Sequence, residues 1–116
     1  MITCLIRYEL DASKVADFEV YARVWMRLIE KYGGTHHGYF LPATHEPDAP
    51  FSFTALGTEG SRNIAVGMFS FPSIEAYDSY RLRVADDPDC IAATARQKES
   101  QCFIRYERTF LEPITR

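Results

Sequence analysis

Between residues 3 and 10 apolar and polar positions alternate: Cys4, Ile6, Tyr8 and Leu10 fall on one side, Thr3, Leu5, Arg7 and Glu9 on the other. That two-residue period predicts a strand. Beyond it the period becomes that of a helix over residues 14–32. Val15, Phe18, Ala22, Trp25, Ile29 and Tyr32 recur at alternating spacings of three and four and so share one face. Asp11 or Ser13 supplies the cap, and Gly33-Gly34 ends the helix because glycine takes the left-handed conformation without steric cost. THHGYFL over residues 35–41 reads as a second strand, closed by Pro42.

Residues 43–63 break the pattern. Pro47, Pro50, Gly57 and Gly60 surround Phe51 and Phe53, and a connection this long without regular structure is uncommon in a small domain unless it has a task. The two rings need a surface to rest on. IAVGMFSF at residues 64–71 is apolar on both sides, as in a strand covered on both faces. Ser73 then caps a helical region with Glu75 in its first turn, where negative charge suits the helix dipole. Asp87 and Pro88 restart it as a new cap and first helical residue, so residues 73–100 read as one broken helix. A last strand covers residues 102–111.

The order strand, helix, strand, strand, helix, strand predicts an α+β fold of the ferredoxin-like split βαβ type (βαββαβ), a four-stranded antiparallel sheet with helices on one face. Its first and last strands are neighbours, and they carry near-copies of one hexapeptide, CLIRYE at residues 4–9 and CFIRYE at residues 102–107. Charge selects their register. Arg7 opposite Glu107 and Glu9 opposite Arg105 are both attractive pairs, whereas Arg7 opposite Arg105 is not. In this register Cys4 lies opposite Phe110 and Cys102 opposite Ala12, which holds the two thiols out of disulfide reach. Strict alternation also puts Phe103 with Leu5, Arg7, Glu9, Arg105 and Glu107 on the face away from the helices, and Ile104 on the helix side.

A chain of 116 residues and 13.3 kDa reads as one domain over residues 1–116, large enough for an ordinary core. With 13 basic and 16 acidic side chains the net charge is −3, so the electrostatic footprint for nucleic acid is missing. The cysteines Cys4, Cys90 and Cys102 are odd in number and form no CxxC pair. With no signal peptide visible at the start, they suggest reduced thiols and a cytoplasmic protein, without membrane insertion. Glycine-rich phosphate loops, HExxH, GxSxG and zinc spacings do not occur. Neither a cofactor nor a metal is expected.

An uncovered sheet face carrying Leu5, Phe103, Leu111 and one side of residues 64–71 requires a partner, since apolar area of that extent marks an interface. A two-fold copy offering the same face closes two sheets into a barrel, so a homodimer is the expected assembly. The candidate ligand pocket comprises Arg7, Glu9, His36, His37, Tyr39, Phe69, Arg105 and Glu107. Neighbours on a strand point to opposite faces, so one of His36 and His37 reaches the pocket side and the pair cannot chelate one ion. The pocket histidine acts as a general base beside an anion held by Arg7 or Arg105, or is simply a hydrogen-bonded structural group. Tyr77, Tyr80 and Arg81 share a helix face where packing explains them, and Trp25 falls in the core stripe. Catalytic residues stay unassigned.

Phe69-Ser70-Phe71-Pro72-Ser73, followed by Tyr77-Asp78-Ser79-Tyr80-Arg81 and Asp87-Pro88, together with Gly38-Tyr39-Phe40-Leu41-Pro42 after the first helix, resembles the NIPSNAP family over almost the whole chain. The resemblance implies a dimeric α+β barrel with a ferredoxin-like protomer. It implies no defined activity, although related barrels include cofactor-independent monooxygenases and haem-degrading enzymes. The expected function is a homodimeric barrel that binds a small, partly apolar molecule between sheet and helices. A cofactor-independent monooxygenase or acid-base enzyme, or a non-catalytic dimeric interaction module, are the alternatives.

Overall fold

The computed structural model describes residues 1–115. Alternation at its start produces β1 (Ile2–Leu10), which buries Cys4, Tyr8 and Leu10. A 3-10 turn, Ala12–Lys14, leads into α1 (Val15–Lys31), and the Asp11 carboxylate caps the turn by accepting the Ser13 N–H at 3.0 Å. The apolar stripe of α1 buries Phe18, Ala22, Leu28 and Ile29, with Trp25 and Tyr32 packed beside them. Gly33, at φ +95°, turns the chain into β2 (Thr35–Phe40).

Residues 41–63 form neither helix nor strand and are almost wholly exposed. Within them the N–H groups of Leu56 and Gly57 both donate to the Phe53 carbonyl. The chain returns as β3 (Ile64–Phe71) and continues through α2 (Ile74–Val84), α3 (Pro88–Ser100) and β4 (Phe103–Leu111). Ser73 Oγ caps α2 by accepting the Ala76 N–H at 3.1 Å. Asp87 caps α3, with Pro88 in its first turn, so the second helical region is two helices broken where the Asp-Pro pair predicts.

The sheet is antiparallel throughout with strand order β2-β3-β1-β4, and the helices cover one face: a ferredoxin-like α+β fold. Arg7 lies opposite Glu107, Glu9 opposite Arg105 and Cys4 opposite Phe110, as the charge argument requires. The first two pairs are ion pairs at 3.7 and 3.0 Å. All three cysteines are free and buried.

Strict alternation fails at one end of this pairing. The register shifts between Glu9 and Leu10, so that Leu10 faces Phe103. A bulge of this kind turns the residues beyond it over. Phe103, expected on the open face, therefore packs on the helix side, 4.9 Å from Tyr8 and 6.2 Å from Phe18 between ring centroids. Ile104, expected against the helices, is instead 60% exposed. Cys102 is not opposite Ala12; its carbonyl accepts the Asp11 N–H at 2.9 Å.

On β3 the helix side, Ala65, Phe69 and Phe71, is buried, while Ile64, Val66 and Met68 on the other side are only half-buried. The chain by itself covers one face of its sheet. The molecule measures 46 × 41 × 18 Å, thin because one helix layer lies on one sheet. Among the described residues no helix is long and apolar enough to cross a membrane.

Candidate functional site

Helices cover the sheet unevenly. α1 packs on β2 and α3, whereas β4 at the far edge is left largely open. Its helix-side residues Tyr106 and Phe110 remain 61% and 42% exposed. A cavity of about 400 Å³ opens between the helices and the sheet, with residues of all four strands in its lining. Its floor is Ile6 and Tyr8 of β1, Tyr39 of β2 and Phe69 of β3; its walls are Tyr21 and Trp25 of α1, Tyr77 and Tyr80 of α2, and Phe103 and Tyr106 of β4. Ile29, Thr94 and Gln97 also line it, and three exposed cations, Arg81, Lys98 and Arg108, stand at the rim. A second depression of about 360 Å³ adjoins it and shares Tyr77 and Arg108.

Close backbone approach shapes the floor. Tyr39 lies opposite Gly67 in the β2–β3 pairing, and its ring occupies the space a side chain at position 67 would need. The phenol thereby comes within 3.3 Å of the Tyr8 hydroxyl. Burial pushes the Tyr8, Tyr21, Tyr39 and Tyr80 phenols above their ordinary range. At neutral pH they are protonated donors, not bases. The Trp25 indole N–H is buried behind the cavity wall, beside Tyr21, whose ring centroid lies 6.3 Å from that of Trp25.

Of the residues expected to form a pocket, the structure brings Tyr39 and Phe69 into this cavity. His36 lies on the same side but behind Tyr39, stacked at 5.0 Å between centroids. Its Nδ1 accepts the Gly38 N–H at 2.8 Å, so a neutral ring carries its proton on Nε2, which has no partner. Burial lowers its pKa, and the nearby Glu30 opposes the shift. The strand shifts register between His36 and Gly38, with Gly38 at φ +129°, and His37 faces the other side. There His37 Nε2 is 2.7 Å from Ser70 Oγ, which is 2.7 Å from Thr3 Oγ1. Arg7, Glu9, Arg105 and Glu107 share that open face. The sheet thus separates the eight into two groups.

Tyr8, Trp25, Tyr77, Tyr80 and Arg81, which the sequence pattern assigns to packing, lie in the cavity, as do Tyr21, Lys98 and Arg108, which it does not single out. Both roles are real: Tyr80 stacks on Phe71 at 4.8 Å and also lines the cavity. The available signal was the pairing of Tyr8 with Tyr106, one in each copy of the hexapeptide, on the helix side of an edge strand. Among the described residues no cluster of three or more His, Cys, Asp and Glu side chains is arranged to hold a metal ion.

No curated protein matches the chain. Among solved structures, an uncharacterised NIPSNAP domain protein from Burkholderia xenovorans superposes with a TM-score of 0.69 at 22% identity, covering 98% of this chain and 95% of that one. A putative antibiotic biosynthesis monooxygenase from Nitrosomonas europaea gives 0.66 at 7% identity, covering 99% of this chain and 100% of that one. SnoaB, a cofactor-independent oxygenase from Streptomyces nogalater crystallised as a mutant, gives 0.55 at 14% identity, covering 99% and 94%. At these identities the likenesses establish the fold alone. The kinship comes from the sequence: the NIPSNAP family model matches residues 3–115, nearly the full length, and the chain belongs to that family.

Proposed function

We propose that this protein is a homodimeric α+β barrel that binds a small, flat, partly apolar molecule in the cavity between its sheet and helices. The cavity itself carries the reading. At about 400 Å³ it exceeds the roughly 300 Å³ at which ligand sites begin, and its lining is mainly aromatic, with phenol hydroxyls and three cations as its chief polar groups. A purely structural module would fill such a space with side chains.

The same geometry argues against acid-base chemistry as the primary role. Among the described residues no imidazole lines the cavity, and burial raises the Tyr8, Tyr21, Tyr39, Tyr77 and Tyr80 phenols, which favours their protonated form. Cofactor-independent oxygenation, named for one structural neighbour, SnoaB, remains the second reading because it asks the protein chiefly to bind and orient a flat substrate.

Dimerisation is supported by what one chain leaves uncovered. Leu5, Val66 and Met68 are half-buried on the open face, and Phe40 and Leu111 are 56% and 41% exposed. Phe53 and Leu56 stand 73% and 82% exposed on the long connection. The radius of gyration is 15.9 Å, against about 13 Å for a compact chain of this length.

Native mass spectrometry of the purified protein tests both parts. The expected species has twice the 13.3 kDa chain mass and carries a small molecule that leaves on denaturation. A ligand-free protein whose single tryptophan, Trp25, responds to no aromatic compound would overturn the binding reading.

A further inference from the structure

We propose that the cavity selects aromatic ligands bearing an acidic group, the ring among the tyrosines and the oxyanion at the rim between Arg81, Lys98 and Arg108. This rests on the binding role above and specifies the ligand's chemistry.

Three observations carry it. First, the rim cations come from three different elements, α2, α3 and β4, yet line one cavity, and no Asp or Glu lines it with them. In a chain with 16 acidic and 13 basic side chains, a wholly cationic rim runs against composition. Second, these cations form no ion pair among the described residues. The ion pairs among the described residues engage Arg7, Lys14, Arg23, Lys31, Arg62 and Arg105, and none includes Arg81, Lys98 or Arg108. Arg108 spends its guanidinium on the Tyr77 hydroxyl at 3.4 Å and the face of Phe110 at 4.9 Å, contacts that aim it without discharging it. Third, the interior offers donors where an aromatic compound carries oxygen. The Tyr8 and Tyr39 rings line the cavity, and their hydroxyls meet only at 3.3 Å.

A guanidinium binds a carboxylate through two parallel N–H donors, and beside a low-dielectric aromatic wall that contact strengthens. A neutral amide of the same shape can fill the aromatic part equally well but gains nothing from the cations. The carboxylate and its amide therefore separate the charge preference from the cavity.

The test follows the single Trp25 indole N–H resonance of the full chain during titration with naphthoate and, separately, with naphthamide. Naphthoate is expected to bind about tenfold more tightly or better and to weaken as salt is raised. The double variant Arg81→Gln, Arg108→Gln, its folding checked by thermal melting, should lose that advantage while keeping wild-type affinity for naphthamide. If the two probes bind equally, or the double variant keeps the preference, the anion selectivity is wrong and the cavity stands as a neutral aromatic site. If neither probe moves the resonance at millimolar concentration, the binding reading falls, and this inference with it.

Discussion

The ring of Tyr39 lies across the backbone of Gly67, so close that a β-carbon at position 67 would stand 2.5 Å from the ring edge. The missing side chain lets the phenol lie along the sheet and reach Tyr8. Gly67→Ala must lift the ring into the cavity or bend the strand, and overpacking of this kind costs ~1–3 kcal/mol. The expected result is a lower urea midpoint with an unchanged m-value, accompanied by weaker aromatic binding. A variant as stable as the wild type with intact binding would mean that Tyr39 has room the structure does not suggest.

Buried phenols set the alkaline limit of this fold. Tyr8, Tyr21, Tyr39 and Tyr80 are raised chiefly by burial, so above the unfolded value of about 10 the unfolded chain releases protons that the folded chain keeps. Their contribution is complete below pH ~10 and is lost as pH rises beyond it, at about 1.4 kcal/mol per pH unit for each fully protected phenol. Urea midpoints measured from neutral to strongly alkaline pH should fall steeply, and phenolate absorbance should appear together with loss of helical circular dichroism. Tyr8→Phe should flatten the slope. Phenolate absorbance from these residues in a still-folded protein would contradict the assignment.

The elements and their register were readable because each rests on short-range rules. Alternation reports strands, spacings of three and four report α1, and Asp87-Pro88 marks a helix restart whatever lies around it. Arg7 and Glu107 could be aligned because charge distinguishes neighbouring registers. The cavity was harder to read for a tertiary reason. Tyr77 and Tyr80 obey the same periodicity whether they fill a core or wall a void, and only the incomplete cover over β4 distinguishes the two. Phe103 was obscured by a bulge, since one extra residue reverses every later side chain without changing composition or pattern. His36 and His37, by contrast, do point to opposite faces as alternation requires. Counting pocket residues from sequence therefore mixed two faces that the sheet keeps apart.

Asp87 joins the two halves of the helix layer. Its carboxylate accepts from Lys31 Nζ at 2.7 Å, from the Tyr32 hydroxyl at 2.6 Å and from the Asp89 N–H at 2.9 Å, tying the end of α1 to the start of α3. These partners, Lys31 first, lower its pKa to about 2. A depressed carboxylate stabilises the fold above the unfolded value of about 3.9, and that contribution disappears as pH falls through the folded value. Asp87→Asn keeps a competent cap but removes the charge, so its stability should change less than that of the wild type between pH 4 and 2, a window taken from about 3.9 and about 2. Asp87→Ala should be less stable than Asp87→Asn at every pH. Parallel acid titrations of wild type and Asp87→Asn, followed by circular dichroism, would count against this role.

Met68 offers the cleanest handle on assembly. It sits on the open face of β3 opposite Leu5 of β1 and Gly38 of β2, half-buried in the single chain and remote from the cavity across the sheet. A glutamate there can reach water in a lone protomer, and surface changes of that kind alter stability by about 0.5 kcal/mol or less. Between two copies related by a two-fold axis the same glutamate meets its own image or a desolvated apolar surface, a juxtaposition costing several kcal/mol by general experience with like charges at interfaces, on the order of a thousandfold in affinity. Sedimentation at micromolar concentration should give twice 13.3 kDa for the wild type and 13.3 kDa for Met68→Glu, with matching circular dichroism. A Met68→Glu protein that still sediments as the dimer would direct attention to another surface, β4 and the exposed connection first. A wild type sedimenting as a single folded chain would remove the barrel assembly itself.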